Sequence, residues 1–387
     1  MTTATPLPLA GVKVVDFSSN AAGPSCTQLL AHFGAEVVKV EPPGGDSTRQ
    51  WGAVRVGPGD QYTPTFLSMN MNKASVVVDL KNPQDFAEVA RMLRGADVVV
   101  ESFAPGVAKR LGIGYEDVAK LKPDVVYCSL SGYGQTGPMS PRPGFDMLMQ
   151  AYAGHMSITG EEQRPSVRSG PSAIDLLTGG HGAFGIMLAL RHRDLTGEGQ
   201  AVDVSLFDSA VYMVCNHLTD VLATGRLPAK FGSHFPLLSP FGVFQASDRD
   251  FYLGVSSDSM WKKLCAEMQR PDLGADERFR DNAGRVTNRE ALHAEIFPIF
   301  RQRDADYWVA LAQRLGIPAS LVHNLAEVAQ HEQTAARELL VDTGIDGLRT
   351  VGVPLKLSRT PGRIRRGPPA LGQDNARLLG KAGKEEV

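Results

Sequence analysis

The chain has 387 residues, 43% hydrophobic and 21% charged, with 40 Lys and Arg against 42 Asp and Glu for a formal net charge of −2. Such a length predicts two domains rather than one core, and the composition is that of an ordinary globular protein. The near-neutral balance gives no overall electrostatic reason for a nucleic acid or an anionic membrane as partner, although it leaves room for a local basic site facing a phosphorylated ligand.

The start, Met1-Thr-Thr-Ala-Thr-Pro6, has neither the basic nor the apolar region of a signal peptide. No apolar run is expected to span a bilayer. Cys26, Cys128, Cys215 and Cys265 lie far apart and form no CxxC pair, which predicts reduced thiols and a soluble, cytoplasmic protein.

Val12-Lys-Val-Val-Asp-Phe17 predicts a strand. A turn, Ser18-Ser-Asn-Ala-Ala-Gly23, and Pro24 at a helix start then lead to a helix over 25–33 that stops at Gly34. A strand over 35–41 completes a βαβ unit, and with it a parallel sheet. Strands over 75–80, 96–101 and 124–130 alternate with helices over 83–94 and 115–121. Their apolar runs lack a polar face, as in strands covered on both sides. The first two hundred residues therefore read as a doubly wound, Rossmann-like α/β domain.

After Asp208 the pattern changes. A long helix over 209–224 leads to a Gly/Pro-rich stretch, and runs at 242–247 and 251–256 flank Asp248-Arg249-Asp250 as a hairpin would. Helices over 259–268, 288–302 and 304–315 follow. The resulting division is a large α/β domain over 1–225, a smaller α+β domain over 226–325, and a Pro-rich segment over 326–387 that returns to the large domain.

Several chemistries lack their signatures. A nicotinamide site could use Glu41 on a ribose, but the first βα turn carries one glycine where GxGxxG needs three. There is no GxxxxGK[ST], HExxH or GxSxG motif, and the nine histidines form no metal-ligand pattern. No metal and no permanently bound cofactor is expected.

The remaining dense segment is Ser169-Gly-Pro-Ser-Ala-Ile-Asp175, followed by a helical pattern carrying Gly179, Gly180, Gly182 and Gly185. Each glycine inside a helix costs roughly 1 kcal/mol relative to alanine, so another backbone or a ligand is expected to approach closely. An ionised, partly desolvated carboxylate at a helix start can attack an acyl group. The commoner role of an aspartate at such a place is a helix N-cap, and local sequence alone favours the cap.

Taken together the motifs resemble the CaiB/BaiF (class III) coenzyme A transferases along nearly the whole chain. The resemblance is carried by Leu9-Ala-Gly-Val-Lys-Val-Val-Asp-Phe17, Ala22-Gly-Pro24, and Leu29 through Asp46 with Val-Lys-Val-Glu-Pro-Pro-Gly-Gly-Asp at its end. Asn72-Lys73, Val78-Asp-Leu-Lys81, Asp97 through Gly106, Ser129 through Pro138, Gly144-Phe-Asp146, Ser157-Ile-Thr-Gly160, Thr196 through Asp203 and Pro369-Ala-Leu-Gly-Gln373 continue it. The resemblance implies that Asp175 carries CoA as an aspartyl thioester, with acyl-CoA (succinyl-CoA as one candidate donor) and a carboxylic acid as substrates. Glycine N–H groups nearby are expected to stabilise the oxyanions, and Asp146 to support Asp175.

The same resemblance implies that CoA is held by Ala21, Ala22, Pro42, Val78, Asp79, Leu80, Lys81, Ser102, Phe103 and Arg110. Arg142, Pro143 and Phe145 are implied near the pantetheine, with Lys81 and Arg110 as phosphate partners. It also implies a homodimer of two interlocked rings. Related α-methylacyl-CoA racemases carry a histidine where Phe145 stands, and a phenylalanine transfers no proton. Formyl-CoA:oxalate transferases carry a glutamine at the position of Ala21 and consecutive glycines where this chain has Phe231 through Pro240, which disfavours oxalate as acceptor. His234 and Ser239 in that stretch are candidate substrate contacts. Alternatives left open are an intramolecular CoA transferase, the racemase, and a non-catalytic CoA-binding subunit.

Overall fold

The structure, a computed structural model, describes residues 5–380. The chain forms two compact units. The first comprises the residues up to His155, Ser169–Leu222, and those from Glu332 onward; the second comprises Met156–Arg168 and Ala223–His331.

In the first unit, β1 (Lys13–Asp16), β2 (Glu36–Glu41), β3 (Lys73–Val77), β4 (Val98–Glu101), β5 (Val126–Ser131) and β6 (Ala201–Ser205) form one sheet in the order β3-β2-β1-β4-β5-β6. Every neighbouring pair runs parallel. Its helices include α1 (Ala22–His32), α2 (Pro64–Met69), α3 (Pro83–Arg94), α4 (Val107–Arg110), α5 (Tyr115–Leu121), α6 (Asp146–Tyr152), α8 (Ala173–Thr196), α9 (Leu206–Met213) and most of α10 (Cys215–Thr224), while α7 (His155–Ile158) falls mainly in the second unit.

Alternation along the strands divides the core between the two faces of the sheet. Val98 and Val100 pack with Cys26 and Leu30 of α1 and Ile186 of α8. Val99, between them, packs with Val89 and Leu93 of α3 and Val118 of α5. Both faces are therefore covered, which is why these strands read as unbroken apolar runs.

Three local expectations are corrected. The helix over 209–224 is two helices: the N–H of Val214 donates to the carbonyl of Val211, a three-residue closure, and ψ of 20° at Val214 turns the chain out. Strand β3 ends at Val77, because residues 78–82 enter a turn in which Asn82 N–H donates to the Asp79 carbonyl. The third concerns α8, which has the length and composition to cross a membrane, contrary to the expectation that no segment would. Its buried face against α1 and β5 accounts for half of that composition.

The α8 glycines show what approaches that helix. A Cβ on Gly179 would fall 2.7 Å from the Ala22 carbonyl oxygen and closer still to Ser25 Oγ, while one on Gly185 would fall 2.8 Å from Val202 Cγ1. The close neighbours are thus α1, through the Ala22 carbonyl and Ser25, at Gly179 and β6, through Val202, at Gly185. The glycine N–H groups lie within the helix, so the expected oxyanion role for them is withdrawn.

The segment from Glu332 onward packs within the first unit. Asp374 accepts from Ser75 N at 3.0 Å and its own N–H donates to the Ser75 carbonyl, so residue 374 docks on β3. Arg366 and Arg377 pair with the Asp374 carboxylate.

The second unit holds an antiparallel sheet of β7 (Phe241–Gln245), β8 (Asp250–Gly254) and β9 (Ala319–Leu321). Its helices include α11 (Asp258–Glu267), α12 (Pro271–Ala275), α13 (Asn282–Thr287), α14 (Arg289–Phe300) and α15 (Ala305–Arg314). Phe244, Phe251, Trp261, Phe279, Phe300 and Trp308 form its core.

Gly179→Ala is expected to force α1 and α8 apart and to destabilise the protein by about 1–3 kcal/mol, the usual cost of overpacking. Gly180→Ala, whose Cβ would meet nothing within 4 Å, should be neutral or better. Thermal denaturation of the two variants compares them, and equal melting temperatures would contradict the packing described.

Candidate active site

In an open parallel sheet, ligands bind beyond the carboxyl ends of the strands where the strand order reverses. Here the reversal lies between β1 and β4. A cavity of about 410 Å³ opens there. Its walls come from the residues that follow four strands: Phe17, Ser18, Ser19 and Asn20 after β1, Pro42 and Pro43 after β2, Val78, Asp79, Leu80 and Lys81 after β3, and Phe103 after β4.

A buried charge network fixes these strand ends. Lys39 and Lys73 are both fully buried. Lys73 Nζ reaches Asp16 Oδ2 at 3.2 Å and donates to the Pro24 carbonyl and Asn70 Oδ1 at 2.9 Å. Lys39 Nζ pairs with Asp46 Oδ2 at 2.8 Å and donates to the Ser18 carbonyl at 2.7 Å. Burial penalises both carboxylates, but the lysines outweigh it and hold Asp16 and Asp46 below the usual carboxylate range. Glu41 accepts from Arg49, Ser75 and Asp46 N. It is committed to the scaffold, not to a ribose. Asp16, Lys39, Asp46 and Lys73 were visible only as letters within the family motifs; nothing in their spacing distinguished buried pairs from surface charges.

The predicted CoA residues separate into groups. Pro42, Val78, Asp79, Leu80, Lys81 and Phe103 line the cavity. Ser102 adjoins it, its Oγ accepting from Ser19 N at 3.0 Å. Ala21 and Ala22 lie at the start of α1, next to the lining turn. Arg110 ends α4 and is exposed, as is Lys81, and neither pairs with a carboxylate among the described residues. Arg142, Pro143 and Phe145 do not line the cavity. They lie on the exposed segment that enters α6. Gly144 in that segment passes Gly132 so closely that a Cβ on Gly132 would fall 2.8 Å from Gly144 Cα, which fixes where α6 begins.

Asp175 is not an N-cap. Helix α8 starts two residues earlier, and Asp175 lies in its first turn. The cap is supplied from α6: Asp146 Oδ2 accepts from Ile174 N at 2.8 Å and Asp175 N at 3.2 Å. Gln150, also buried, donates from Nε2 to Asp146 Oδ1 at 2.6 Å and accepts from Ser169 N at 2.9 Å. One amide thus ties the Asp146 carboxylate to the segment leading into α8, and a glutamate there would instead repel Asp146. Sequence reasoning missed Gln150. Its spacing of one helical turn from Asp146 was the available signal.

The Asp175 carboxylate is half-buried and makes no hydrogen bond among the described residues. Burial, and secondarily the like charge of Asp146, push its pKa up to about 6. Gly179, one turn of about 5.4 Å further along α8, is level with Ala22 at the start of α1. Asp175, one turn earlier on α8, is thus near the start of α1, although it is not among the residues that line the cavity. The arrangement presents a partly desolvated carboxylate with no hydrogen bond among the described residues, as nucleophilic attack requires.

His234 and Ser239 lie in the second unit. His234 lines a cavity there and packs against His293, the rings tilted by 45° with centroids 4.6 Å apart, while Ser239 is buried. Among the described residues no cluster of metal-ligating side chains occurs.

The model of CoA-transferase family III matches residues 9–375. An acetyl-CoA:oxalate CoA-transferase of Acetobacter aceti is 38% identical, over 96% of this chain and 95% of that protein. A succinate–glutarate CoA-transferase of Agrobacterium fabrum is 35% identical, again over 96% and 95%. Among solved structures, a CAIB/BAIF family protein from Brucella suis superposes with a TM-score of 0.92 at 32% identity, covering 97% of this chain and 99% of that one.

The Asp175 carboxylate is lost as pH falls through about 6, and an acyl transfer that used it as nucleophile would lose activity with it. The pH profile of acyl transfer should therefore show an acid limb near that value. Asp146→Asn removes the like charge and should move the limb to lower pH, leaving it above the ordinary carboxylate range because burial remains. A limb that stays in place would assign it to a different group.

Proposed function

Because the chain belongs to CoA-transferase family III, we propose that it moves CoA from an acyl-CoA to a carboxylic acid through an aspartyl-CoA thioester on Asp175. The observation that carries this reading is the half-buried Asp175 carboxylate, which makes no hydrogen bond among the described residues and whose pKa burial raises to about 6.

The steps balance without a net proton. An Asp175 oxygen attacks the thioester carbonyl, the C–S bond breaks, and a mixed anhydride and CoA thiolate result. The thiolate attacks the Asp175 carbonyl carbon, giving the aspartyl-CoA thioester and releasing the donor acid as its carboxylate. An acceptor carboxylate then attacks the thioester, and the freed thiolate takes the acceptor's acyl group, returning Asp175 as a carboxylate. Dividing the transfer in this way replaces one difficult exchange by easier ones.

Asp146 and Gln150 hold Asp175 in place. Pro42, Val78, Asp79, Leu80, Lys81 and Phe103 form the CoA wall, with Ala21, Ala22 and Ser102 at its edge. Lys81 and Arg110, exposed and without carboxylate partners, are the phosphate contacts. Arg142, Pro143 and Phe145 flank the pantetheine on its way to Asp175. Phe145 has no proton to exchange, which keeps racemisation by opposed acid and base groups outside this reading. Four free thiols suit a reducing cytoplasm.

The acceptor is a short dicarboxylate and the donor is succinyl-CoA. Two relatives are named for oxalate and for succinate with glutarate. Oxalate therefore rejoins the candidate acceptors, since the residues argued against it distinguish only formyl-CoA:oxalate transferases.

The functional form is a homodimer. The face of α8 turned away from α1 exposes Leu176, Phe184, Met187, Leu188 and Leu195, at helical spacing. A stripe of large apolar side chains on one helix is what a subunit interface covers. Sedimentation should show a dimer, and a monomer at micromolar concentration would contradict this.

Asp175→Ala is expected to abolish transfer from succinyl-CoA, with CoA affinity changed less than about threefold. Transfer retained in that variant would overturn the mechanism. Loss of CoA binding together with activity would mean that Asp175 shapes the CoA site rather than reacting.

A further inference from the structure

The second unit contains a cavity of about 960 Å³ beside the start of α14. Its charges are unevenly placed. Glu161, Glu162, Asp250 and Glu290 line it, and all four are exposed. Lys230 and Arg289 are half-buried, and neither forms an ion pair with any of those carboxylates.

Arg289 is unusual in its surroundings. Its Nη2 donates to the Pro236 carbonyl at 2.9 Å and the Leu238 carbonyl at 3.4 Å. Its Nη1 is buried and meets no hydrogen-bond acceptor among the described residues. A guanidinium drawn out of water with one nitrogen unsatisfied is costly unless an anion completes it. Lys230 Nζ likewise spends its donors on neutral groups, the Arg164 carbonyl and Ser166 Oγ.

The remaining walls set the kind of anion. Phe231, whose ring lies 5.7 Å from the Arg289 guanidinium carbon, and the buried Phe244 supply apolar surface. The His234 ring lines the cavity and packs at a tilt against His293, and burial lowers the pKa of both imidazoles, so they are neutral at pH 7 and add no positive charge. The two half-buried cations, the exposed Arg301, which donates to Gln245 Oε1, and the rings of Phe231, Phe244 and Phe297 suit a short aliphatic carboxylate. A phosphate dianion, with its three acceptor oxygens, would call for more donors than these.

We infer that the second unit binds a small organic carboxylate in this cavity, with the Arg289 guanidinium as the recognising group and His234 as a neutral hydrogen-bonding partner. Identifying that carboxylate as the acid that accepts CoA rests on the transfer reading of Asp175; the binding site itself does not.

The test uses the full-length protein and glutarate as probe. In wild-type protein, phenylglyoxal modification mapped by mass spectrometry should show Arg289 protected by glutarate and not by inorganic phosphate at equal concentration. Calorimetry should show glutarate bound by the wild type and at least tenfold more weakly by Arg289→Gln, with Arg289→Lys between them and CoA affinity unchanged in both. Equal protection by phosphate, or glutarate binding that Arg289→Gln leaves intact, would overturn the inference. So would a wild-type protein that does not bind glutarate. Wild-type labelling keeps the test valid if Arg289→Gln loosens the 236–238 loop. Glutarate binding at Arg289 in a protein whose Asp175 never reacts would overturn the transfer reading alone.

Discussion

Helices α1 and α8 lie closer together than any side chain at residue 179 would permit, with Gly179 resting against the Ala22 carbonyl. That approach sets how far α8 extends beyond the sheet, and so where its first turn begins. Asp146 completes the arrangement from α6 by accepting the N–H groups of Ile174 and Asp175. An aspartate at this place is thus held by its backbone, while its own carboxylate is left without a partner. The side chain that could have capped the helix is free because another carboxylate does the capping.

The same division of labour runs through the cavity. Asp16, Lys39, Asp46 and Lys73 are buried and paired with one another, and the two lysines donate to the carbonyls of Ser18 and Pro24 rather than to solvent. Buried ion pairs are weak contributors to net stability, because desolvation offsets the attraction, but breaking one partner costs about 3–5 kcal/mol. Their effect here is to fix the loop after β1 and the loop after β2 in one geometry. The exposed cations Lys81 and Arg110 remain outside this network, at liberty to meet a phosphorylated ligand.

Much of the architecture was legible in the sequence because its signals are local. The β-branched runs, the first βα turn and the hairpin around Asp248 each follow from a few adjacent residues. The break at Val214 was not, since it depends on one dihedral angle within an unbroken helical pattern. The glycines of α8 announced close neighbours correctly, yet only coordinates could say that these are α1 and β6. Asp175 stood out through its setting, but its place within the first turn reversed the capping role that local sequence favoured. Gln150 and Arg289 were silent for a common reason. Each acts through contacts across the fold, Gln150 with Ser169 and Arg289 with the 236–238 carbonyls, and beyond the one-turn spacing of Gln150 from Asp146 no short-range pattern marks them.

The central claim is that Asp175 becomes covalently attached to CoA during transfer. Its most direct test is intact-protein mass spectrometry after brief incubation with succinyl-CoA, followed by hydroxylamine or borohydride trapping and peptide mapping. The account predicts a CoA adduct, or its trapped derivative, on the peptide containing Asp175 and on no other. Turnover with no trace of modification there, or with the adduct on a different carboxylate, would contradict it.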